Sequence, residues 1–128
     1  MSNLVVDSGI HTRRDLVGIL PADLAPRIDE ELLRDSSIAA ALRVLATIKD
    51  PTWQQYVQPW WIDWAALLNY GRQMRRSNSR RVRIEVAASL ADQESAQVSL
   101  LYVAASLDRE NFLAVIDALR IARLGLEP

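Results

Sequence analysis

Two stretches of the chain concentrate the side chains that could do chemistry. The first is basic. Arg72, Arg75, Arg76, Arg80, Arg81 and Arg83 fall between Ala65 and Ile84, a span without a single acid. Guanidinium groups present planar donor forks that match phosphate and carboxylate oxygens. Such a cluster suits a nucleic-acid backbone, contacted without sequence preference because phosphates are alike at every base, or an acidic protein partner. No acid stands three or four residues from Arg75, Arg76 or Arg80, so pairing along a helix cannot neutralise those three. If a helix opens near Ser79, then Arg80, Arg81 and Arg83 sit in its first turn. There the macrodipole disfavours cations, and free N–H groups would join the guanidinium groups around a bound anion. The competing explanation is a solvated face whose charges pair with acids brought up by the fold. The second stretch is aromatic: Trp53, Tyr56, Trp60, Trp61, Trp64 and Tyr70 are six of the eight aromatic residues. On a helix Trp60 and Trp64 would lie one turn apart and Trp61 would point about 100° away, so no one face buries all three. Tryptophan fills cores, anchors protein interfaces and stacks on unpaired bases. Trp53, Trp60, Trp61 and Trp64 are accordingly expected to divide between core and protein interface.

Composition removes most catalytic chemistries. With no Cys there are no disulfides, thiolate metal sites or cysteine nucleophiles. His11 is the only His, which argues against a His-rich metal site and a Ser/His/Asp triad; it is expected at the surface or in a cap. The serines lack a nucleophile-elbow context, and phosphate-binding glycine loops are absent. Asp29, Glu30, Glu31 and Asp35 make an acidic, solvated helix face. The expectation is a non-enzymatic chain without cofactor or metal. No apolar run reaches the ~18 residues of a membrane span, and no basic region precedes an apolar one at the N-terminus; a cytoplasmic protein is expected.

The elements that must position these residues are helical. The chain of 128 residues, half of them apolar, is long enough for one domain with its own core. Its net charge of −1 hides an asymmetry: residues 1–64 carry 6 basic and 9 acidic side chains, residues 65–128 carry 9 and 7. Residues 1–10 look like a flexible arm, with 11–128 as a single helical domain. Thr12 caps a short helix that Pro21 ends. Pro26 opens another through Ile28, Leu32 and Leu33, and Asp35-Ser36-Ser37 breaks or merely interrupts it before Ile38, Leu42, Leu45 and Ile48 resume the period. Asp50-Pro51 marks a helix start, and Pro59 opens a longer helix to about Arg75. The run Arg81–Val86 alternates like a strand, but Val82, Val86 and Leu90 with Ala87, Ala88 and Ala91 favour a helix. Asp92 caps the next helix. Asp108 caps the last, with Phe112, Val115, Ile116, Leu119 and Ala122 on its apolar face and Gly125 as its stop. An all-α bundle of about five to seven short helices results.

Two families share features with the chain. Arg27-Ile28-Asp29-Glu30-Glu31-Leu32-Leu33, with Arg43 and Lys49 downstream, resembles the opening of the long first helix of all-helical chorismate mutases, which would imply a small helical enzyme. A short, Cys-free, all-helical chain with an Arg-rich stretch is also similar to the small subunits of CRISPR effector complexes, ribonucleoproteins of antiviral defence. That resemblance implies a subunit without catalytic residues, in which Arg72–Arg83 contacts RNA or single-stranded DNA and Trp53–Trp64 contacts neighbouring subunits, copies of the same chain among them. The leading expectation is this assembly subunit; the alternative is an adaptor that binds proteins alone.

Overall fold

The structure, a computed structural model, describes residues 9–73, 78–92, 94 and 96–128. Among these, seven α-helices and one two-stranded hairpin make an all-α fold: α1 (Arg13–Ile19), α2 (Glu30–Arg34), α3 (Ser36–Leu45), β1 (Val57–Gln58), β2 (Trp61–Ile62), α4 (Trp64–Arg72), α5 (Asn78–Ala91), α6 (Leu100–Ser106) and α7 (Arg109–Leu124). Short 3₁₀ turns cover Ala25–Arg27 and Pro51–Tyr56.

Most helix starts follow local capping chemistry. A helix leaves its first N–H groups without partners, and a short polar side chain just before it supplies an acceptor. Thr12 and Asp15 form a reciprocal capping box on α1. Asp35 ends α2 and caps α3, so Asp35-Ser36-Ser37 is a true break. Asp63, Ser99 and Asp108 cap α4, α6 and α7, and Gly125 ends α7 at φ 76°, a conformation that favours glycine.

Asp50 caps and Pro51 opens a helical segment as expected, of 3₁₀ type, with the Asp50 side chain accepting from the Thr52 N–H. Four local expectations need correction. Pro26 sits in the Ala25–Arg27 turn, and Asp29 is the residue that caps the following helix. Pro59 opens no helix: Pro59-Trp60 is the turn of the hairpin, in which Val57 pairs with Ile62 and Gln58 with Trp61. Burial of the β-branched pair Val57 and Ile62 decides for strand pairing there. Asp92 follows α5 and its side chain accepts from the Glu94 N–H, while Ser99 starts α6. On α7 the buried face is Ala114, Val115, Ala118 and Ile121, and Ile116 and Leu119 are half exposed. Small residues turn inward because α7 packs closely on α3, itself lined by Ala39, Ala40 and Ala41. Arg81–Val86 lies within α5 and is helical.

Helix α3 is the axis of the fold. Ala39, Ala40, Ala41, Leu42, Val44 and Leu45 are all fully buried, with α5 and α7 as the main neighbours. α4 packs on α5 through Gly71, where a Cβ would stand 3.2 Å from Ile84 Cδ1. The two ends of the described chain meet: Glu127 N–H donates to the His11 carbonyl, and Arg13 N–H to the Glu127 carbonyl.

Asp117 fastens that junction. Its carboxylate accepts from Ile10 N (3.0 Å), Arg43 Nε (2.8 Å) and both Nε and Nη2 of Arg120 (3.1 and 2.7 Å), and Arg120 Nη2 also donates to the Ile10 carbonyl. Ile10, expected in the flexible arm, is therefore buried and bonded on both sides of its backbone. Residues 1–8 of that arm lie outside the described residues. Burial alone would raise the Asp117 pKa, but the Ile10 N–H and the two guanidinium groups outweigh it and hold the carboxyl below its ordinary 3.8. A depressed native pKa stabilises the fold above the unfolded value and is lost as pH falls through the native one. Asp117→Asn should therefore cost about 3 kcal/mol at pH 7, since it leaves two cations partly buried. In urea melts the gap to the parent protein should shrink as pH drops below about 4; a gap that is flat with pH contradicts the assignment.

Candidate functional site

The six arginines do not form one surface. Arg75 and Arg76 lie outside the described residues. Arg72 is exposed at the end of α4. Arg80 stands 3.6 Å from Asp50, each about a third to a half exposed, so an acid remote in sequence supplies the pairing absent along the helix. Arg81 donates through Nη2 to Tyr102 Oη (2.9 Å) and Asn78 Oδ1 (3.1 Å) and lies 3.9 Å from Glu85, which ties α5 to α6. The Tyr102 hydroxyl, chiefly, stabilises its charged form and raises its pKa.

Arg83 is the clearest departure from the expected strand contact. It is 9% exposed. Its Nη1 donates to the Thr47 carbonyl (3.0 Å), Thr47 Oγ1 (2.9 Å) and Asn111 Oδ1 (3.2 Å), and its Nε to the Ser79 carbonyl (3.2 Å). The reason is geometric: Arg83 lies on the face of α5 between buried Val82 and Ile84, beside the C-terminal end of α3. Burial lowers its pKa; the field of Asp108 works the other way, and Arg80 reinforces the lowering.

The tryptophans divide between core and surface, so the four do not share one surface. Trp53 is fully buried and its indole Nε1 donates to the Ile48 carbonyl at 3.3 Å. Trp64, the first residue of α4, is also buried. Both belong to the core, which removes them from the interface set. Trp60 and Trp61 are 70% and 49% exposed. The hairpin that presents them is held at its turn, where Pro59 O accepts from Asp29 N (2.8 Å), and at its base, where Tyr56 O accepts from Asp63 N (2.9 Å). Behind it the Tyr56 and Tyr70 rings lie 5.6 Å apart, tilted by 44°.

A polar cleft of about 540 Å³ opens where α3 ends, α5 begins and α7 begins. Arg43, Lys49, Arg80 and Arg83 line it with Asp108, Glu110, Thr47 and Asn111. Arg80 and Arg83 come from the basic stretch. Arg43 and Lys49 belong to the chorismate-mutase resemblance, but the chain from Arg27 onward breaks at Asp35 and again at Asp50-Pro51, so the unbroken long helix of that family is absent. Thr47 and Asn111 carried no mark in the sequence; only the tertiary fold brings them to Arg83. Among the described residues no cluster of His, Asp or Glu could hold a metal ion, and no helix is long and apolar enough to cross a membrane.

No protein-family model, curated protein or solved structure matches the chain. The division of the tryptophans is directly measurable. Trp53→Ala should lose about 3–5 kcal/mol in denaturant melts, as large core truncations do, whereas Trp60→Ala should stay within about 0.5 kcal/mol of the parent. Equal losses at both positions contradict the burial pattern.

Proposed function

We propose that the chain is a non-enzymatic, protein-docking subunit of a larger assembly, and that it docks through Trp60 and Trp61. The observation that carries this reading is the exposure of two adjacent tryptophans on a hairpin hydrogen-bonded to Asp29 at its turn and closed by Asp63 at its base. An exposed indole wastes a large apolar area in water, and a rigid one loses little entropy on docking, which is why tryptophan dominates interface hot spots. The division of labour is that of the small helical subunits of CRISPR effector complexes, whose neighbours are other subunits and further copies of the same chain.

A second reading is contact with a nucleic-acid backbone by Arg72, Arg75, Arg76 and Arg80. It is favoured by one placement: Arg72 at the end of α4 and Arg80 near the start of α5 flank the same short connection. Arg81 is left out of this contact because its Nη2 donates to Asn78 and Tyr102, and Arg83 because its side chain is buried away from that surface.

The Trp60→Ala/Trp61→Ala double variant should melt within a few degrees of the parent and lose its stoichiometric protein partner in complexes purified from the source cells. An undiminished complex overturns the docking reading. Strand contact predicts that log affinity for a single-stranded oligonucleotide falls linearly with log salt, by about 0.7 per contacted phosphate. Replacing Arg72 and Arg80 with Gln should flatten the slope by about one unit; an unchanged slope excludes them.

A further inference from the structure

We propose that the cleft between the C-terminal end of α3 and the N-terminal ends of α5 and α7 binds the phosphate group of a small phosphate monoester, with Arg83 and Lys49 as its principal contacts. The site is separate from the Trp60 surface and does not depend on docking there.

The first observation is a buried guanidinium with no carboxylate in contact, the field of Asp108 reaching it only from beyond ion-pair distance. Arg83 is 9% exposed, yet all four of its hydrogen bonds go to neutral oxygens of Ser79, Thr47 and Asn111. It makes no ion pair with a described carboxylate. Buried charges are ordinarily paired. These bonds use Nε and Nη1, which leaves the Nη2 amino group without a partner among the described residues although the side chain lines a cleft.

The other lining residues set the chemistry of the occupant. Arg43 is held by Asp117 at 2.8 Å, and Arg80 pairs with Asp50 at 3.6 Å. Lys49, exposed and on the same cleft, is the second cation left to a ligand. A guanidinium with one amino group to spare and an ammonium suit a tetrahedral oxyanion. Asp108 and Glu110 line the cleft too. Asp108 Oδ1 already caps α7 through the Asn111 N–H. Carboxylates repel a second anionic group but accept from hydroxyls, so a phosphate on a hydroxyl-bearing body fits better than a bare polyanion. The volume of about 540 Å³ is that of a small-molecule site.

A phosphate could also come from the end of a strand, and the test separates the two sources. Isothermal titration at constant ionic strength would use ribose 5-phosphate, ribose, and a single-stranded oligonucleotide with and without a 5′-phosphate. The expected result is saturable binding of ribose 5-phosphate and none of ribose. Lys49→Gln, an exposed substitution, should weaken binding by about tenfold, the loss of one charge-assisted hydrogen bond. Arg83→Lys should weaken it further even where it lowers stability. Response to the 5′-phosphorylated oligonucleotide alone assigns the phosphate to a strand and overturns the small-molecule site. Absence of ribose 5-phosphate binding, or binding indifferent to Lys49→Gln, overturns it as well.

Discussion

Burying a helix on all sides creates an obligation at its ends, and this fold is organised by the C-terminal end of α3. The last carbonyls of a helix have no partners within it. At this end the N–H groups of Ala46, Thr47 and Ile48 donate to the carbonyls of Leu42, Val44 and Leu45, so the obligation passes to the two carbonyls that follow. Just past α3 the Thr47 carbonyl accepts from Arg83 and the Ile48 carbonyl from the Trp53 indole. Both donors are large, both arrive from other elements, and Arg83 places its charge where the negative end of the α3 dipole favours it. α5 and the Pro51–Tyr56 turn are thereby fixed relative to the axis.

The two richest stretches of functional side chains are consequently divided between scaffold and surface. Trp53 and Trp64 join the core while Trp60 and Trp61 remain exposed on the hairpin. Arg81 and Arg83 bond within the bundle while Arg72 faces water. The cleft beside Arg83 arises from the same constraint, because the end of α3, the start of α5 and the start of α7 must converge around one guanidinium.

Features decided within four residues were legible in the sequence. The Thr12 and Asp108 caps and the Gly125 stop depend on local hydrogen bonding and backbone conformation, and all are present. The helix over Arg81–Val86 was legible because alanine-rich continuation outweighs a brief alternation. The hairpin was not: Pro59 is equally at home at a helix start or in a turn, and only burial of Val57 against the core chooses between them. Nor was the fate of Arg83, whose acceptors lie 28 and 36 residues away in sequence. On α7 periodicity located a helix but misplaced its buried face, since Ala–Ala approach to α3 outweighs the larger side chains.

Hydrogen exchange at side-chain N–H groups, followed by proton–nitrogen NMR, tests the organising role of the α3 terminus most directly. Protected groups exchange only when the structure opens. The Trp53 indole N–H and the Arg83 Nη1–H groups, which donate to the Ile48 and Thr47 carbonyls, should exchange orders of magnitude more slowly than the indoles of Trp60 and Trp61 and the Nη–H groups of Arg72. If all the indoles exchange at one rate and Arg83 exchanges as fast as Arg72, the end of α3 is not held by these two side chains and the account fails.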